Sequence, residues 1–152
     1  MAYVVEPEVS GQLGERTILD NSIHPPIVSH LHFIFYGWLG DDLIGCFPVF
    51  LITEKLKELI VIHDLTGYQI KECEVEVSDE FILLQPGVDL PKFYWFQVNG
   101  KGSADFNIAR NQLLISNRAY TFLEQFNLNN AIVQPYSNCG NELRNGTLII
   151  CQ

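Results

Sequence analysis

Apolar and polar positions along this chain follow two rhythms, and one succession of rhythms is used twice. Phe50-Leu51-Ile52 and, 63 residues later, Leu113-Leu114-Ile115 are unbroken apolar runs of the kind that form buried strands. Each is followed by a hydroxyl residue, Thr53 or Ser116, suited to a helix N-cap. Its side chain there accepts one of the backbone N–H groups that the first helical turn leaves unpaired. Beyond the cap, Leu56, Leu59, Ile60 and His63 fall at i, i+3, i+4 and i+7, and so do Ala119, Phe122, Leu123 and Phe126. Each set is one face of an amphipathic helix, which makes His63 a core-facing, packed position. Gly67 and Asn130 come next, residue types that tolerate the left-handed backbone that ends many helices. Tyr68-Gln69-Ile70 and Ala131-Ile132-Val133 close the two copies as strands.

The same offset runs backward, matching Phe33 with Phe96, Gly37 with Gly100 and Asp42 with Asp105. LHFIFYG and YWFQVNG both read as strands that end in a glycine turn, and Asn99-Gly100 is a hairpin signal. Further strands are expected at 3–5, 72–77, 81–84 and 148–151. Pro25-Pro26, Gln85-Pro86-Gly87 and residues 135–140 punctuate the chain. The pattern predicts one α+β domain over 1–152. Its mixed β-sheet carries two principal helices and is built on two strand-helix-strand units, about 31–73 and 94–136.

Composition narrows the class. A chain of 152 residues with 47% hydrophobic and 18% charged residues can bury a core, which excludes a disordered segment. The uncharged stretch 43–52 is too short for a bilayer span and contains Pro48, so no membrane association is expected. MAYVVEPEVS has neither a basic nor a long apolar leader segment, and a cytoplasmic protein is expected. Cys46, Cys73, Cys139 and Cys151 are far apart with no C-x-x-C, which suits reduced thiols, with no metal and no cofactor. Asn145-Gly146-Thr147 reads as a turn.

Charge adds a direction. The net charge is −9: residues 1–90 hold 15 acids and 4 bases, and residues 91–152 hold 3 acids and 5 bases. Phosphates are repelled by such a surface, so nucleic acid is excluded as a partner, and a basic protein fits better. Solubility alone is the competing explanation.

Few residues point to chemistry. His30 and His32 in SHLHF would share a strand face as a metal pair, but no third ligand stands near, and a structural or solvent-facing pair is the alternative. Asp41-Asp42 follow Gly37-Trp38-Leu39-Gly40; they suit either general acid–base work or a solvated turn. Trp38 between glycines would make an interface anchor if exposed. Glu72, Glu74 and Glu76 alternate in KECEVEV and share one strand face, either simply wet or a docking strip for a basic partner. Gly100-Lys101-Gly102-Ser103 lacks the first glycine of a phosphate loop. Ser10, Ser29 and Ser103 have no nucleophile-elbow setting.

Several stretches in order, GWLGDDL with FPVFLIT and then LPKFYWFQVNGK, DFNIARNQLLIS and FLEQFNL, resemble the α+β immunity proteins of bacterial polymorphic toxin systems. The likeness runs from about Tyr3 to Tyr136 and leaves 137–152 outside. Asn117 stands where such proteins commonly carry an acid after the cap serine. The resemblance implies a non-enzymatic inhibitor that binds a cognate toxin domain in the cytosol. It fixes no toxin-binding residue. The interface candidates Trp38, Asp41, Asp42, Glu72, Glu74 and Glu76 are inferences from this chain alone. Two alternatives stand beside it: an enzyme of unrecognised class using His30, His32, Asp41 and Asp42, or a self-associating structural domain.

Overall fold

The computed structural model describes residues 2–136, and beyond them the backbone of two strands, β14 (Glu142–Arg144) and β15 (Thr147–Ile149), paired as a hairpin. The chain is a single-domain α+β fold, and the duplicated pattern is its frame. In the first copy β6 (Leu43–Cys46) pairs with β7 (Val49–Thr53), which leads into α1 (Glu54–Ile60) and then β8 (Tyr68–Lys71). In the second, β11 (Phe106–Ala109) pairs with β12 (Gln112–Ser116), which leads into α3 (Asn117–Leu123) and then β13 (Ile132–Tyr136).

The registers agree residue for residue. Leu43 faces Ile52 and Cys46 faces Val49; Phe106 faces Ile115 and Ala109 faces Gln112. Both helices start where the hydroxyls predict. Thr53 Oγ1 accepts from Leu56 N at 3.4 Å and Ser116 Oγ from Ala119 N at 3.1 Å.

Each copy's sheet is completed by a strand that precedes the other copy. β10 (Phe93–Val98) lies between β7 and β8, and β1 (Ala2–Glu6) lies between β12 and β13. Phe96 faces Ile70, and Val5 faces Val133, the residue 63 places beyond Ile70. The two halves are therefore interlocked by exchanged strands. Their helices and sheets bury one core that includes Val5, Ile52, Leu56, Phe96, Phe106 and Phe122. Burial of each such side chain contributes about 1.5–3 kcal/mol, so neither half retains its core without the other.

The backward register holds at Asp42 and Asp105, each of which accepts from its own cap hydroxyl, but fails at Phe33 and Phe96. The counterpart of Phe96 is Val5, whereas Phe33 lies in β5 (His32–Phe35), between β2 (Gly11–Leu13) and β9 (Glu74–Val77). β5 and β9 run parallel. With the hairpin of β3 (Ile18–Asp20) and β4 (Ile27–His30), this sheet covers the second face of β10. Alternation along β10 divides its side chains: Tyr94 and Phe96 enter the shared core, while Phe93 and Trp95 enter a second one with Leu31, Phe33 and Phe35.

Other expectations change locally. Residues 81–84 form part of a third helix, α2 (Asp79–Leu84), because Ser78 Oγ caps Phe81 N at 3.1 Å and Asp79 and Glu80 occupy the first turn. The strand expected at 72–77 begins at Glu74. Helix α1 stops at Ile60, which leaves His63 exposed in the following turn, its Nδ1–H donating to Leu59 O at 2.8 Å. Gly67 has φ +98°, but Asn130 is not left-handed; it is held instead by Asp41. Cys139, Cys151 and the Asn145-Gly146-Thr147 turn fall in the segment whose side chains lie outside the described residues. No helix among the described residues is long and apolar enough to cross a membrane.

Candidate partner-binding surface

The loop Gly37–Asp42 folds inward. Trp38 Nε1 donates to Asp41 O at 2.9 Å, and its ring meets Phe93 edge-on at 5.7 Å. Asp41 is fully buried and accepts from the backbone N and Nδ2 of Asn130 at 3.0 and 2.9 Å. Asp42 is also buried and accepts from Thr53 Oγ1 and from Asn127 N, each at 2.9 Å. Both carboxylates are committed to joining turns, so neither is a surface contact or a free acid–base group. Trp38 is half-buried and packs against the second core, so it is not the protruding anchor its glycine neighbours suggested.

One residue behind this loop escaped the sequence reading. Glu8 is buried; its carboxylate accepts from Leu39 N at 3.0 Å, from Asp41 N at 3.4 Å and from Ser10 Oγ. Burial pushes its pKa up. The two backbone N–H groups oppose that rise, and the charge of Asp41 adds to it. Apart from Ser10, two residues on, its partners lie 31 and 33 residues away, so EPEVS alone does not mark the position.

The acidic strip is real but partly neutralised. Arg16 Nε donates to Glu74 Oε2 at 2.7 Å, and His30 Nε2 lies 2.7 Å from Glu74 Oε1. Arg16 Nη2 is 3.8 Å from Glu76, and Lys92 Nζ is 3.4 Å from Glu72. Arg16, followed by His30, holds the Glu74 carboxyl below its ordinary value. The histidines do not form a pair. His30 is half-exposed in β4, whereas His32 is buried in β5 with its ring nitrogens facing the Arg16 backbone N–H and guanidinium. No group of three metal-ligating side chains occurs among the described residues. The proposed catalytic quartet is likewise split, the aspartates bound to Thr53, Asn127 and Asn130 and the histidines beside Arg16 and Glu74.

The most unusual surface belongs to α2. Only Phe81 of its apolar run is buried; Ile82, Leu83 and Leu84 are 56%, 79% and 74% exposed. Gln85, at the helix end, clamps the Trp38 backbone: Trp38 N donates to Gln85 Oε1 at 2.7 Å and Gln85 Nε2 donates to Trp38 O at 2.9 Å. Leu39, the residue after Trp38, is exposed as well. Residues 72–91 contain six acids and no Lys or Arg. The result is an apolar helix within an acidic segment. The signal was visible in SDEFILLQPG: a cap serine, two acids, then four large apolar residues that a short surface element cannot all bury. No protein-family model, no curated protein and no solved structure matches the chain.

Proposed function

We propose that the protein is a non-enzymatic binding module of the immunity type, acting in the cytoplasm by covering a basic toxin domain. The observation that carries this reading is the exposed Ile82-Leu83-Leu84 run of α2 in a segment where Asp79, Glu80 and Asp89 pair with no base among the described residues, although Glu72, Glu74 and Glu76 are partly neutralised from outside it. A desolvated apolar centre with a charged rim is how stable interfaces are built, and an acidic rim selects a basic partner and speeds its capture. Clusters of exposed leucines cost solubility unless a partner covers them. The resemblance of the chain to toxin-neutralising proteins supports the same partner class. A homodimer through α2 is disfavoured, because a two-fold contact would set each acidic rim against its copy.

Immunity proteins of this kind are usually encoded beside their toxin, so the test is co-expression with the product of the adjacent gene. Cells should survive with the wild-type protein and die with Leu83→Asp at equal soluble levels. Death in both cases, with the proteins failing to co-purify, would rule the reading out.

A further inference from the structure

A second feature, independent of the α2 surface, is a cleft of about 470 Å³ between the 21–28 loop and the far end of β10. Its walls include Ile23, Ile27, Phe47 and Ile108. Its polar side chains come from one stretch of chain: Trp95 and Gln97, on one side of β10, and Asn99 and Lys101 just beyond its end. Among the described residues no Asp or Glu lines the cleft, in a protein with 18 acids.

Trp95 is only 4% exposed, and its indole N–H has no acceptor among the described residues. Buried indole N–H groups normally find one. Among the described residues the side chains of Gln97 and Asn99 make no hydrogen bond and Lys101 has no carboxylate partner, in contrast to Arg16, Lys55, Lys92 and Arg118. A second cation, Lys71 Nζ, stands 5.2 Å from the Trp95 ring centroid.

We infer that this cleft is a binding site for a small apolar carboxylate. Indole and ammonium groups can only donate, and the two amides can donate as well. The complementary ligand therefore presents acceptors and a negative charge to β10 and an apolar body to the Ile23, Phe47 and Ile108 wall. The volume falls within the range typical of small-molecule sites.

The probe is 4-phenylbutyrate, with 4-phenylbutan-1-ol as its uncharged counterpart. The protein has two tryptophans and so two indole N–H resonances; Trp95→Phe, which keeps an aromatic ring and removes the N–H, assigns them. The Trp95 resonance should move saturably with the carboxylate, while that of Trp38, which donates to Asp41 O, stays in place. The alcohol should bind at least about tenfold more weakly, and Lys101→Ala should weaken the carboxylate by about tenfold, the loss of one charge-assisted contact. A stationary Trp95 resonance up to about 10 mM probe would overturn the site. Equal binding of acid and alcohol, unaffected by Lys101→Ala, would overturn the ligand class.

Discussion

Asp42 and Asp105, 63 residues apart, occupy the same station in the two halves, and each ties its own half to the other. Asp42 accepts from its own cap hydroxyl, Thr53, at 2.9 Å and from Asn127 N, beyond α3, at 2.9 Å. Asp105 accepts from its own cap hydroxyl, Ser116, at 2.6 Å and from Thr66 N, beyond α1, at 2.8 Å. The flanking cations match too, with Lys55 at 3.9 Å and Arg118 at 3.6 Å.

Truncating either carboxylate strands a cap hydroxyl and a backbone N–H at a junction between halves. Asp42→Ala and Asp105→Ala should each cost about 3 kcal/mol, and the asparagine variants less, because one acceptor oxygen remains. Urea unfolding with an unchanged slope checks this. A loss below about 0.5 kcal/mol in both alanine variants would contradict the junction role.

The two kinds of buried acid give opposite pH dependence. For Asp105, burial opposes ionisation, but the Ser116 and Thr66 hydrogen bonds and the Arg118 charge outweigh it and leave the pKa lowered. Its contribution is present above the unfolded-state value and is lost as pH falls through the folded one. Glu8 is raised, so its folded state holds the proton more tightly, and stability declines as pH climbs from the unfolded-state value through the folded one. Glu8→Gln keeps the acceptor for Leu39 N and Asp41 N without the charge. It should be more stable than wild type at pH 7, with the gap closing toward pH 4, as thermal melts across that range will show.

Gly67 makes a close approach that no side chain fits. With φ +98°, a Cβ placed there would stand 2.3 Å from Phe106 O. Gly67→Ala should destabilise by about 3 kcal/mol or more, well beyond an ordinary surface change. A melting temperature within a degree or two of wild type would show that β11 can retreat.

Periodicity revealed the duplicated frame because its signals are local: a buried strand, a cap hydroxyl and a helix face lie within about twenty residues. Strand exchange was hidden, since β1 and β10 look equally apolar whichever sheet they join. The backward match of Phe33 with Phe96 therefore paired two apolar strands that sit in different sheets. The candidate site suffered for the same reason. Asp41 and Asp42 read as a solvated turn because they follow a glycine-rich loop, but Asn127 and Asn130, which hold them from the other half, lie 85 and 89 residues away. Arg16, which covers the glutamate strip, is 58 residues from Glu74. In α2 the error was one of period, four adjacent apolar residues being compatible with strand or helix until the Ser78 cap is weighed.

Thiol chemistry offers an independent check on burial. Burial, with Glu72 adding to it, pushes the Cys73 thiol up to about 11, and burial raises Cys46 as well. Iodoacetamide at pH 8 should therefore leave both largely unmodified in the folded protein and alkylate both in urea, as peptide mass spectrometry will report. Rapid native labelling of Cys73 would mean that the segment between β8 and β9 opens far more readily than its packing implies.

The α2 surface carries the functional account, and it can be changed without touching the core. Leu83 is 79% exposed, so Leu83→Asp should alter stability by no more than about 0.5 kcal/mol. The decisive measurement is a calorimetric titration of the adjacent gene's product, the partner proposed above, into the wild-type protein and into Leu83→Asp. If α2 is the interface centre, the wild type should bind tightly and the variant at least about a hundredfold more weakly. Equal affinity for both proteins, or no binding by the wild type, would contradict it.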